Sequence, residues 1–159
     1  MFDSAMVQMI WEGILQTLYM TLVSTLFAYI IGLPLGVLLV TSNKDGIAPI
    51  PWLYRILDFI VNVLRSVPFL ILLVAVTPIT RLIAGTSIGS TATIVPLVIA
   101  AFPYVARMVE SSLKEVSPGL IEAAQSMGAT PMQIVTKVLV PEAVPSLIVG
   151  AAISITTIL

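Results

Sequence analysis

The sequence predicts an all-α protein that crosses a membrane several times. Three observations carry that reading. Of 159 residues, 58% are hydrophobic and 9% charged, whereas a soluble domain carries about a quarter charged residues. The mean hydropathy is +1.12. The charges cluster, leaving uncharged runs at 13–43, 82–106 and 143–159.

Composition also excludes several classes of function. Disorder requires low hydrophobicity, which is absent. Seven Lys/Arg and eight Asp/Glu cannot coat a water-exposed surface of this size, so most of the surface must face lipid or protein. A net charge of −1 lacks the basic face that nucleic-acid binding needs. With no Cys and no His, disulfides, the common zinc sites and imidazole catalysis drop out.

The first basic residue is Lys44. A cleaved secretory signal places positive charge before its apolar core, so the first apolar run reads as a resident span, about 13–40. Its second half holds Gly32, Pro34 and Gly36. Gly32 and Gly36 have the spacing of small residues at a helix contact. Loose packing or a proline kink is the blander alternative, since Gly and Pro are common in spans.

Residues 41–51 form a turn-rich polar link. A second span is expected at 52–76, with Asp58, Asn62 and Arg65 at i, i+4 and i+7 on one helical face. Two readings stay open for that face. It lines a pathway, with Arg65 near a substrate carboxylate, or Asp58 sits near the headgroups and Arg65 snorkels or pairs with it. Ser66 and Pro68 are positioned to break this span and free backbone groups to line a path. Residues 77–92 read as a link. A third span follows at 93–113, interrupted by Pro96 and Pro103. Glu110, Lys114 and Glu115 then read as solvated. The fourth span, 142–159, carries no polar flank at its end, so the chain reads as lacking part of it.

Basic residues in short loops set orientation. Lys44, Arg55, Arg107, Lys114 and Lys137 fall on one side and Arg81 on the other. The first side is expected to be cytoplasmic, with the N-terminus outside.

The segment 117–141, SPGLIEAAQSMGATPMQIVTKVLVP, is too polar to span. Ser117-Pro118 reads as an N-cap and first helical residue. Leu120, Ile121, Ala123, Ala124 and Met127 share one arc, opposite Glu122, Gln125 and Ser126. Gly128 stands where a helix ends in positive φ. Thr130-Pro131-Met132-Gln133 has the pattern of a capping box opening a second helix, which Pro141 ends. In that helix Met132, Ile134, Val135, Val138 and Leu139 lie together. A lipid-surface helix pair would be richer in Lys and Arg; a helix offered to a partner's groove is the other physical reading.

Glu122-Ala123-Ala124, Gly128 and Pro141 resemble the EAA loop of ABC-importer permeases. Val138 and Val140 stand where that pattern has Ile and Leu. The runs LRSVPFLILLV, GTSIG, PYVARMVESSLKEV and EAAQSMGATPMQIVTKVLVPEA are similar to the methionine-importer permeases of bacteria, from about residue 11 onward. The resemblance implies a type I ABC-importer permease bundle of five spans in the bacterial inner membrane, four of them seen here. It implies a homodimer of permeases, a separate ABC ATP-binding subunit and an extracytoplasmic substrate-binding lipoprotein. Glu122, Ala123, Ala124, Gly128, Thr130, Pro131 and Pro141 would couple the permease to the ATPase. The substrate would be methionine or a related amino acid. No cofactor belongs to the chain itself, because ATP binds the partner and no G-x-x-x-x-G-K-[ST] motif is present. Two other classes stand beside this one. A secondary transporter or channel would want an inverted repeat and midplane ionisable residues. A membrane enzyme would want a nucleophile–base pair or clustered carboxylates.

Overall fold

The computed structural model describes residues 4–159. They form helices joined by short turns, with no strand among the described residues. The order is α1 (Ser4–Ser42), α2 (Pro51–Ser66), α3 (Phe69–Ala75), α4 (Thr77–Ala84), α5 (Ser90–Lys114), α6 (Pro118–Ser126), α7 (Pro131–Ile134) and α8 (Val140–Ile158). A π-helical turn, Val135–Leu139, joins α7 to α8.

α1 and α5 run parallel and form the spine. Ser90 Oγ donates to Gln16 Oε1 at 3.2 Å at one end. Further along, a Cβ on Gly32 would lie 2.7 Å from Val105 Cγ1, and one on Gly36 would lie 2.6 Å from Val109 Cβ. The two glycines are therefore contact residues, which decides against the blander reading of loose packing, and their missing side chains let the backbones approach. The same face of α1 buries Thr21, Ser24, Thr25, Ala28 and Leu39. Lipid offers no hydrophobic drive for helix association, so close fitting of small residues has to supply the attraction. α8 packs antiparallel to both. Ser146 Oγ donates to Ser112 Oγ at 3.0 Å. Tyr29 Oη and Ser154 Oγ lie 3.4 Å apart, each also near Met108 Sδ.

The prolines behave differently from one another. α1 continues through Pro34, and α5 through Pro96 and Pro103, without interruption. The expected interruption of span 3 is therefore not found. Each proline removes one bond to the carbonyl four residues earlier, but ending a helix in lipid would strand a whole turn of backbone groups. Pro68 does end a helix. It holds Val67 extended, at φ −79° and ψ 125°, as a residue before proline prefers. α2 and α3 consequently meet at a bend of 108°. Residues 52–76 are thus a broken or re-entrant element, not one continuous helix. The break is at Ser66-Val67-Pro68, where the sequence placed it. The 77–92 link contains α4, which stops at Gly85 in the left-handed conformation, φ 73°.

α1, α5 and the run Pro131–Ile158 are long and apolar enough to cross a membrane, three candidate spans, or four where the bent α2–α3 pair counts as one broken span. At 39 residues, α1 is roughly 58 Å long, well beyond the hydrocarbon thickness of about 30 Å.

Filling the spine contact should loosen the bundle. Gly36→Val is expected to lower the melting temperature in detergent, with a cost of about 1–3 kcal/mol or more from overpacking. Gly13→Val is the control, because a Cβ there meets nothing within 4 Å. Equal melting of both variants would contradict the contact.

Candidate functional site

Two neighbouring features hold the polar chemistry. One is the bent segment α6–α7 with its π turn. The other is a chain of charged side chains between α2 and α5.

α6 begins at Pro118, with Ser117 in the N-cap position. Ser117 makes no side-chain cap, contrary to the expectation; its carbonyl accepts from Leu120 N instead. At the other end Gly128 adopts φ 79°. Gly128 N donates to Gln125 O at 2.9 Å and Ala129 N to Ala124 O at 3.1 Å. This pair of bonds is the Schellman closure, which satisfies the last carbonyls while reversing the chain. The next residues form the predicted capping box. Thr130 Oγ1 accepts from Gln133 N, and Gln133 Oε1 accepts from Thr130 N at 2.9 Å. Every bond here is local, so the bend is set by residues 124–133 themselves.

Beyond α7 the expected arrangement changes. Pro141 does not end the second helix. The backbone continues through Val135–Leu139 as a π turn directly into α8. The extra residue widens the turn, and Val140 N bonds Val135 O. The Pro141 ring therefore meets less crowding from the preceding carbonyls than in a regular α turn.

The apolar faces of the segment divide in two. Ile134 and Leu139 are each 1% exposed and belong to the same core as Val105, Val109 and Leu113 of α5. Ile121, Ala124, Val135 and Val138 pack against that core. Leu120, Ala123, Met127 and Met132 face outward, with Met127 at 87% and Met132 at 71% exposed. The apolar arc read from periodicity is therefore split: one edge clamps the segment to its own bundle and the other is left bare. Glu122, Thr130 and Pro131 are also exposed.

Above the segment, Arg107 of α5 ties three residues together. Its guanidinium pairs with Asp58 of α2. Its Nη1 donates to Glu110 Oε2 at 2.6 Å, and its Nη2 donates to Asn62 Oδ1 at 3.0 Å. Asn62 Nδ2 donates to Asp58 Oδ2 at 3.1 Å. Lys114 Nζ donates to the other oxygen of Glu110 at 2.7 Å. Glu110 is 4% exposed, so the reading of it as solvated is overturned. Its (i, i+3) and (i, i+4) cations were visible in the sequence; which face of α5 turned inward was not. Arg107 had served only to orient the chain, and it proves to be the hub. Asp58 and Asn62 are engaged by Arg107, so Asp58 does not pair with Arg65. Arg65 is exposed and makes no ion pair among the described residues. It borders a cavity of about 620 Å³ with Phe69, Leu72, Leu97 and Tyr104. Ser66 Oγ caps back onto Val63 O at 2.8 Å, and Pro68 O accepts from Ile71 N and Leu72 N.

Comparison with known proteins agrees with the all-helical fold. Residues 32–159 match the family described as binding-protein-dependent transport system inner membrane component. The chain belongs to that family. It is 53% identical over 153 residues to the D-methionine transport system permease protein of Escherichia coli K12, covering 94% of this chain and 70% of that protein. It is 50% identical to the protein of the same name from Yersinia pestis, covering 98% and 72%. A solved structure of the MetNI methionine ABC transporter in inward-facing conformations superposes with a TM-score of 0.96 at 51% identity, covering 98% of this chain and 72% of that one. An amino acid ABC transporter at 22% identity and TM-score 0.68 shares the fold. The family member described here is thus a multi-pass inner-membrane helical subunit, not an enzyme.

Removing the hub should be costly. Arg107→Met leaves Glu110 and Asp58 without their shared cation, and breaking a buried pair costs about 3–5 kcal/mol. A large drop in melting temperature is expected. Neutralising all three, as Asp58→Asn, Arg107→Met and Glu110→Gln together, should recover most of it. A triple variant as unstable as the single one would refute the pairing.

Proposed function

We propose that this chain is the membrane-spanning permease subunit of an ATP-driven ABC importer, and that it carries methionine into the cell. The observation that carries the mechanism is the divided loop. Ile134 and Leu139 bury one edge of α6–α7 in the bundle core. Leu120, Ala123, Met127 and Met132 leave the other edge bare. The relatives whose printed names specify D-methionine transport, and the MetNI structure, support the substrate and the class of machine.

On this reading the bare edge docks into a groove of the ABC ATP-binding subunit. Ala123 is small where the helix seats tightly, and Gly128 holds the turn. Glu122 meets polar or basic groups nearby, while Thr130 and Pro131 start the second arm. A second permease copy completes the pathway, and an extracytoplasmic binding lipoprotein delivers substrate. ATP draws the two ATPase subunits together, and each docked segment moves with them as a rigid body. Because the segment is continuous with α8 and packed on α5, its movement tilts those helices and switches access across the membrane.

Orientation follows. The 43–47 turn and α6 border one groove and so lie at the same end of the bundle. That end carries Lys44, Lys114 and Lys137 and is assigned to the cytoplasm; the N-terminal end of α1 is assigned to the outside. The pathway is assigned to the side of α2–α3 that faces the Arg65 cavity, with Arg65 near the substrate carboxylate and Ser66–Pro68 at its edge. Asp58 and Asn62 hold α2 in place from behind.

The test is reconstitution of the full-length permease with its ATPase subunit and binding protein in vesicles. Methionine uptake should require ATP on the loop side and binding protein on the other. Glu122→Arg or Gly128→Pro should leave ATP hydrolysis measurable and reduce uptake at least tenfold. Normal uptake in both variants would sink the coupling role. Uptake driven by an ion gradient without the ATPase would instead identify a secondary transporter.

A further inference from the structure

The charged chain between α2 and α5 does not stop inside the bundle. It alternates in sign along Asp58, Arg107, Glu110 and Lys114. Three of these groups are largely enclosed, with side-chain exposures of 33%, 19% and 5%. Lys114 is the exception, at 50%. Its side chain opens into a groove of about 440 Å³ between the 43–47 turn and α6. The walls of that groove carry two further carboxylates, Asp45 and Glu122, with Asn43 and Gln125 beside them. Its floor is apolar: Val40, Ile47, Leu113, Ile121 and Leu139.

Lys114 therefore stands between two sets of anions. Behind it is Glu110, 4% exposed, whose two carboxylate oxygens accept from Arg107 and Lys114. Lining the same groove is Glu122, on the helix assigned above to the ATPase contact. A Lys side chain is a flexible point charge that can be shared between carboxylates. Inside the bundle, charge interactions are felt more strongly than in water. No ion pair joins Lys114 to Glu122 in the structure; Lys114 is held on Glu110 at 2.7 Å.

We propose that Lys114 is a positioning residue that links Glu122 of the loop to the α2–α5 clamp. When α6 shifts toward Lys114, the Glu122 carboxylate draws the ammonium away from Glu110. Glu110 then leans harder on Arg107, and the hold of Arg107 on Asp58 and Asn62 weakens. α2 is released from α5 while the loop is displaced. When α6 shifts back, Lys114 returns to Glu110 and the clamp closes. Movement of the loop is thereby converted into a change of grip on α2, the helix that leads into the bend at Val67-Pro68. The inference rests on the proposal that α6 docks the ATPase.

The experiment uses the complete transporter in vesicles and reads methionine imported per ATP hydrolysed. Co-purification of the ATPase subunit is measured in parallel. Lys114→Met is expected to lower the transport-to-hydrolysis ratio about fivefold or more, with the ATPase still bound; Lys114→Arg, which keeps the charge, should restore most of it. Lys114→Met combined with Glu122→Gln should be no worse than the poorer single variant, because both remove the same link. If the two losses multiply, or if Lys114→Met leaves the ratio unchanged, the relay is overturned. Loss of ATPase co-purification in Glu122→Gln with Lys114→Met unaffected in every readout would overturn it too, while supporting docking through α6. If neither the wild type nor any variant binds the ATPase, the docking proposal falls, and the relay with it.

Discussion

The close parallel contact of α1 with α5 is the constraint on which the rest of the molecule depends. Gly32 and Gly36 admit Val105 and Val109, and no larger residue fits there without displacing α5. The position of α5 then decides everything on its other faces. Arg107 is presented to α2, Ser112 to Ser146 of α8, and Leu113 to Ile134 and Leu139 of the loop. Small side chains in the spine permit large and charged ones at its periphery, because the backbone separation is set first.

Most polar groups in this bundle are matched within a few residues or across one helix pair; buried Ser24 Oγ, which has no partner, is the exception. Thr17, Thr25, Thr41, Thr77 and Thr80 donate to carbonyls four residues earlier. Such bonds let hydroxyls lie in apolar surroundings at little cost. The charged groups are fewer and harder to accommodate. Glu110, at 4% exposure, is tolerable because both of its oxygens accept from a cation, and a half-satisfied carboxylate there would be worse than none. The network is built from residues on only two helices, so it resists their separation more than it stabilises either alone.

Much of this was legible in the residues, and the exceptions share a cause. Periodicity and caps placed the bend at Gly128, the Thr130–Gln133 capping box and the third span correctly, because each depends on bonds within a few residues. The glycine spacing gave the contact face of α1. Long-range choices were not readable in the same way. Which edge of the segment turned inward depended on where α5 left room, so Met127, which shares an arc with Ile121, and Met132, which shares one with Ile134, proved bare. Glu110 reads as a solvated charge from the sequence, and the rotation of its helix buries it. Pro68 breaks its helix as its sequence position indicates, whereas Pro96 and Pro103, read as interruptions, do not. Neighbouring helices cover α5 at those points, and α2 has no such cover at its end.

The π turn at Val135–Leu139 has a mechanical result. Because it passes straight into α8, the chain runs from Pro131 to Ile158 without a break, over 28 residues and about 42 Å. A rotation of 10° about one end would carry the other through about 7 Å, more than the diameter of a water molecule. An angular displacement applied at the Pro131 end would thus be amplified by leverage, in proportion to the length of the run.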